Sequence, residues 1–65
     1  MYFIIELQII DGQPTHIVKT STSKNEALSE YYNILHYAAV SSVTIHSCVI
    51  LDERGNTVAK ETFVH

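Results

Sequence analysis

Nine consecutive residues near the start of the chain, Tyr2-Phe3-Ile4-Ile5-Glu6-Leu7-Gln8-Ile9-Ile10, constrain its fold more than any other feature. β-Branched and aromatic residues dominate the run, which predicts a strand. At period two, Phe3, Ile5, Leu7 and Ile9 fall on one face, and Tyr2, Ile4, Glu6, Gln8 and Ile10 on the other. An antiparallel sheet with one wet face alternates apolar and polar residues, and this run does not. A sheet built on it has one side suited to a core and a second side too apolar to be freely hydrated.

The rest of the chain supplies the other elements. Asp11-Gly12-Gln13-Pro14 carries turn chemistry and leads into a shorter extended run, His16 to Thr20, so the first quarter reads as a β-hairpin. Ser23-Lys24-Asn25-Glu26 matches a capping box and starts a helix. Ala27, Leu28, Tyr31, Ile34, Leu35, Ala38 and Ala39 then recur at spacings of three and four, a stripe suited to packing on a sheet, with Tyr37 on the opposite side. Val40-Ser41-Ser42 ends the helical pattern. Val43, Ile45, Val49 and Leu51 alternate in a third strand, Asp52-Glu53-Arg54-Gly55 turns the chain, and Val58 and Val64 lie on the return. The predicted fold class is α+β: a β-β-α-β-β two-layer sandwich in a single domain over residues 1–65, with one helix on a four-stranded, mainly antiparallel sheet.

Placing the helix over Phe3, Ile5, Leu7, Ile9, Val43, Ile45, Val49 and Leu51 leaves Tyr2, Ile4, Ile10, His46, Cys48 and Ile50 on the open face. A four-residue turn in the last hairpin pairs Val49 with Val58, His46 with Glu61, Cys48 with Ala59 and Thr44 with Phe63, which adds Phe63 to that face. The predicted interface is therefore Tyr2, Ile4, Ile10, His46, Cys48, Ile50 and Phe63, with Tyr37 as a contact residue on the helix. A domain of this size buries only about 60% of the surface its unfolded chain exposes, and small domains are commonly supplemented by disulfides, metal or association. One cysteine makes no internal disulfide. The expectation is a homo-oligomer, most economically a dimer, with an unidentified protein as a further partner. The competing reading is that strand twist scatters these side chains so that no continuous patch forms.

Composition removes several classes. Four Lys+Arg against seven Asp+Glu, and a net charge of −3, argue against nucleic-acid binding, which rests on clustered cations. The first ten residues carry Glu6 and Gln8, lack a basic start and are too short to span a bilayer, so neither a leader peptide nor a membrane segment is expected. With Cys48 a free thiol, a cytoplasmic setting is the default. No glycine-rich phosphate cradle is present, because Gly12 and Gly55 are isolated turn glycines.

Chemistry-bearing residues gather only around the last hairpin. His46, Cys48 and His65 are the candidate metal ligands, with Glu61 beside them, yet His-x-Cys on one strand supplies two ligands where a structural zinc site needs four. A cross-strand His46–Glu61 pair is the ordinary reading. Cys48 beside His46 also suggests a thiolate nucleophile, but alternate residues on a strand stand about 7 Å apart, too far for a direct hydrogen bond. No catalytic residue and no cofactor are expected.

Asn25-Glu26-Ala27, Ser29, Tyr31, Ala38-Ala39-Val40-Ser41, His46 and His65, together with the Met1-Tyr2-Phe3-Ile4-Ile5-Glu6 opening, resemble a group of short uncharacterised proteins carried by Firmicute bacteria and their phages. The resemblance implies a small freestanding protein with an accessory role, and it implies no activity. The function expected from residues and resemblance together is a non-enzymatic interaction module that self-associates through its open sheet face. The alternative is a small-ligand or metal site built at the subunit interface from His46, Cys48, Glu61 and His65 of two chains.

Overall fold

A computed structural model describes all of residues 1–65 as β1 (Tyr2–Ile10), β2 (Gln13–Ser21), α1 (Lys24–Ala39), β3 (Ile45–Asp52) and β4 (Thr57–Val64). The four strands form one antiparallel sheet in the order β2-β1-β3-β4, with α1 packed mainly on the two central strands. The fold is α+β, with two layers measuring 33 × 19 × 15 Å. No helix is long and apolar enough to cross a membrane.

The first turn is tighter than the four residues read from sequence. Ile10 pairs with Gln13 across a two-residue turn, Asp11 (φ 51°) and Gly12 (φ 79°), whose left-handed backbones match the type I′ geometry that suits strand twist. Pro14 therefore lies inside β2, which tolerates it as an edge strand. Ser23 caps α1 and its Oγ accepts from the Glu26 N–H at 3.3 Å. The return arm of the box goes elsewhere: Ser21 Oγ accepts from the Ser23 N–H at 3.1 Å, and Ser21 Oγ donates to the Glu26 carboxylate. The helix ends at Val40, where the serines begin.

The covered face is the reverse of the one expected. Ile4, Cys48 and Ile50, with His46, lie buried beneath α1 against Ala27 and Tyr31, whereas Phe3, Ile5, Leu7 and Ile9 point away from the helix. Parity alone leaves the choice of face open, because both faces of β1 carry large apolar groups. Turn length and handedness decide it. A two-residue turn aims the N–H and C=O of Ile10 at Gln13, and for an L-residue this fixes the side its Cβ takes. β2 and β3 run parallel with β1 between them, so β2-α1-β3 is a crossover, and the right-handed preference of crossovers sets the side the helix takes.

The last hairpin is also offset from expectation, by two residues. Its loop is Glu53-Arg54-Gly55, closed by Asp52 N–H donating to Asn56 C=O at 2.9 Å and by Gly55 (φ 81°) N–H donating to Asp52 C=O at 3.0 Å. A bulge then falls opposite Ile50/Leu51, leaving Val58 unpaired between Thr57 and Ala59. Each irregularity moves the register by one, so His46 faces Phe63 and Cys48 faces Glu61. Parity survives the double shift, and Phe63 still shares a face with His46.

Candidate interaction surface

Beneath α1 the sheet carries a polar cluster within the apolar core. His46, 4% exposed, places Nε2 2.6 Å from Glu6 Oε2, and Gln8 Nε2 donates to the same oxygen at 3.0 Å. A carboxylate only accepts, so the His46 Nε2 carries the hydrogen. The Gln8 amide nitrogen, also a donor, sits 3.2 Å from that ring nitrogen as a neighbour rather than a partner. His46 Nδ1 is buried without a partner. The predicted His46–Glu61 pair is thus replaced by His46–Glu6, reached diagonally across β1 and β3, because the hairpin offset carries Glu61 to Cys48.

Cys48 lies 1% exposed against that cluster. Burial, reinforced by the Glu6 carboxylate, pushes its thiol from 9.0 up to about 11, which keeps it protonated and non-nucleophilic at neutral pH. Tyr31 packs over it, its hydroxyl raised above the ordinary value by burial first and then by Glu61 and Cys48. His65 turns back to the helix end, with Nε2 2.9 Å from the Ala38 carbonyl, and its ring stacks on Phe63. No group of three or more His, Cys, Asp or Glu side chains comes together with metal-holding geometry.

The predicted site residues therefore scatter. Ile4, His46, Cys48 and Ile50 are interior, which removes them from any open face and removes the two-chain ligand set that needed them there. Tyr2 and Phe63 are half-buried on the helix side, and Tyr2 packs against the core. Ile10 stays exposed at the end of β1, and Tyr37 is exposed on the helix. An open groove of about 600 Å³ between the end of β2 and the first turns of α1 is lined by Lys19, Glu26 and Glu30, but Lys19 and Glu30 neutralise each other at 3.1 Å and none of its polar side chains is buried.

What remains is the face turned away from the helix. Its centre is a ladder of cross-strand pairs from β1 and β3: Phe3 with Leu51, Ile5 with Val49, Leu7 with Ser47 and Ile9 with Ile45. β2 adds Val18 beside Ile5, and β4 adds Val64 beside Ile45. Leu7 is 43% exposed, Val18 50% and Val64 73%; the rest of the ladder is half-covered by its own neighbours alone. Family models, curated proteins and solved structures were compared, and none matches this chain.

The charges avoid this surface. Of the seven acids, Glu6 and Glu61 point to the helix side, Glu26 and Glu30 lie on α1, and Asp11, Asp52 and Glu53 lie at the turns. Lys60 on β4, beside Val49, and His16 on β2, beside Leu7, are the titratable groups on it. The face spans four strands about 4.8 Å apart and four same-side positions about 6.7 Å apart, or roughly 500 Å² in projection. Thr20 and His16 on β2 and Thr57, Lys60 and Thr62 on β4 belong to that area, so its apolar part is roughly 300 Å², the lower end of the largest apolar patch an ordinary monomer shows, about 300–600 Å². Periodicity singles out Phe3, Ile5, Leu7, Ile9, Ile45, Val49, Leu51 and Val64 in the sequence, but as the core.

Proposed function

We infer that the protein is a non-enzymatic interaction module whose working surface is the helix-free face of its sheet, covered in use by another polypeptide. One observation carries the reading: the Ile5–Val49 ladder is apolar at every position but Ser47 and free of carboxylates in a chain of net charge −3. Burying it desolvates almost no charge, which is the composition of an interface centre. The non-enzymatic part draws support from Cys48, the one cysteine, and its neighbour His46 being closed off under α1. The resemblance to short proteins of Firmicute bacteria and their phages fits an accessory partner-binding role.

Side-chain footprinting by hydroxyl radicals tests this reading in an extract of the native cells, against the purified chain at nanomolar concentration. Leu7 and Val18 should be protected in the extract, while Tyr37 is labelled equally in both. Equal labelling of Leu7 and Val18 in the two samples would remove the interaction reading.

A further inference from the structure

The open face is built to match itself. Two stacked copies bury roughly 1,000 Å² in projection, the size at which specific interfaces begin. The β1–β3 ladder itself offers a charged foreign partner nothing to pair with, since Lys60 and His16 lie on the flanking strands, whereas a second copy brings the same uncharged centre. Relief points the same way. At mid-face Leu7 stands proud beside Ser47, the smallest side chain of the ladder, so each face presents one knob and one recess side by side.

Resting on the interaction reading above, we propose that the covering partner is a second copy of this chain, stacked sheet on sheet about a two-fold axis running along the strands, with Leu7 of each protomer seated over the partner's Ser47. Rotation about that axis lays β1 over the partner's β3, so the Leu7–Ser47 contact occurs twice and Ile5 meets the partner's Val49. Such an isologous contact closes at two subunits. The twist of each sheet turns the two sets of strands about 30° from alignment, as in other aligned sheet packings. A two-fold running across the strands would stack β1 on the partner's β1 and β3 on the partner's β3, setting Leu7 against the partner's Ile5 and Ser47 against the partner's Val49. The assembly is a four-layer α/β/β/α sandwich.

Analytical ultracentrifugation and mixed-chain cross-linking test the proposal. The 65-residue chain should sediment at twice its 7.3 kDa mass at high micromolar concentration, with Leu7 and Val18 becoming protected from radicals as the dimer forms. Under oxidation, an equal mixture of Leu7→Cys and Ser47→Cys chains should give heterodisulfide well above the statistical half of cross-linked product. Buried Cys48 does not compete. Ser47→Leu should weaken association more than tenfold with an unchanged circular dichroism spectrum, because position 47 is not under the helix. Preferential cross-linking of Leu7→Cys with Ile5→Cys chains overturns the arrangement. A monomer at millimolar concentration overturns the second copy as partner; protection in the cell extract would then leave the interaction reading standing, and its absence there would end both.

Discussion

The two sides of one sheet bury similar kinds of side chain by different means. Under α1, Ile4, Cys48 and Ile50 are sealed, and the sheet also holds a Glu6–Gln8–His46 hydrogen-bonded group at their edge. On the other side, Phe3, Ile5, Leu7, Ile45 and Val49 cover only one another, with no acid among them. The helix side accommodates charge because its partners are fixed by neighbouring strands. The bare side excludes charge, which suits a surface that must be desolvated on meeting a partner. Apolarity by itself does not tell a core from an interface; polar satisfaction and relief do.

Substitutions at matched depths sharpen this contrast. Ile50→Ala, beneath the helix, should lose about 2–5 kcal/mol in urea unfolding, enough to unfold much of a chain this small. Ile5→Ala, on the bare side, should cost the dilute chain about 1 kcal/mol or less. Equal losses at the two positions would mean that Ile5 is already covered by its own chain.

The polar group gives the next largest effect. Glu6→Leu strands the Nε2–H of His46 beside its already unpartnered Nδ1, and should cost about 1–3 kcal/mol. Adding His46→Leu to that variant should restore most of the loss, since replacing both members of a buried pair is far gentler than removing one. A double variant no better than the single would make the imidazole a packing element independent of Glu6.

Alkali acts through Cys48. Its thiol titrates near 11 in the folded chain against 9.0 for an ordinary thiol, so the unfolded chain loses its proton first and stability declines as pH climbs from about 9 to 11. At pH 10 the folding equilibrium should fall about tenfold on this account. Tyr31 adds to the decline at higher pH, its shift having the same sign. Cys48→Ala should flatten the slope near pH 10, measured by urea midpoints at pH 7, 9 and 10.

The smallest effect belongs to the distal turn. The Asp52 carboxylate accepts the Asn56 and Arg54 backbone N–H groups, each at 2.9 Å, and these bonds hold its pKa below the usual carboxylate value. Stability from this source is complete above about pH 4 and is lost as pH falls through the lowered value. Asp52→Ala should lower the thermal midpoint at pH 7 and lower it less at pH 2.5, where the carboxyl is already protonated.

Much of the fold is legible in the sequence. Apolar periodicity locates the helix and both hairpins, the Ser23 cap locates the start of α1, and the 3.6-residue stripe puts Tyr31 inside and Tyr37 outside. Two things are hidden. β1 is apolar at both parities, so counting side chains cannot say which face the helix takes; that follows from the two-residue Asp11-Gly12 turn combined with crossover handedness. The register of β4 depends on where single extra residues are absorbed, and neither the Gly55 loop nor the Val58 bulge disturbs the hydrophobic pattern. The true pairing of His46 with Glu6 is therefore invisible from a hairpin built by parity.

The Asp11-Gly12 turn thus works as a selector between two nearly equivalent ways of folding the same strand. Slipping one extra residue between these two would present Phe3, Ile5 and Leu7 to the helix and evict the Ile4 row, turning the protein inside out without altering a single side chain of β1.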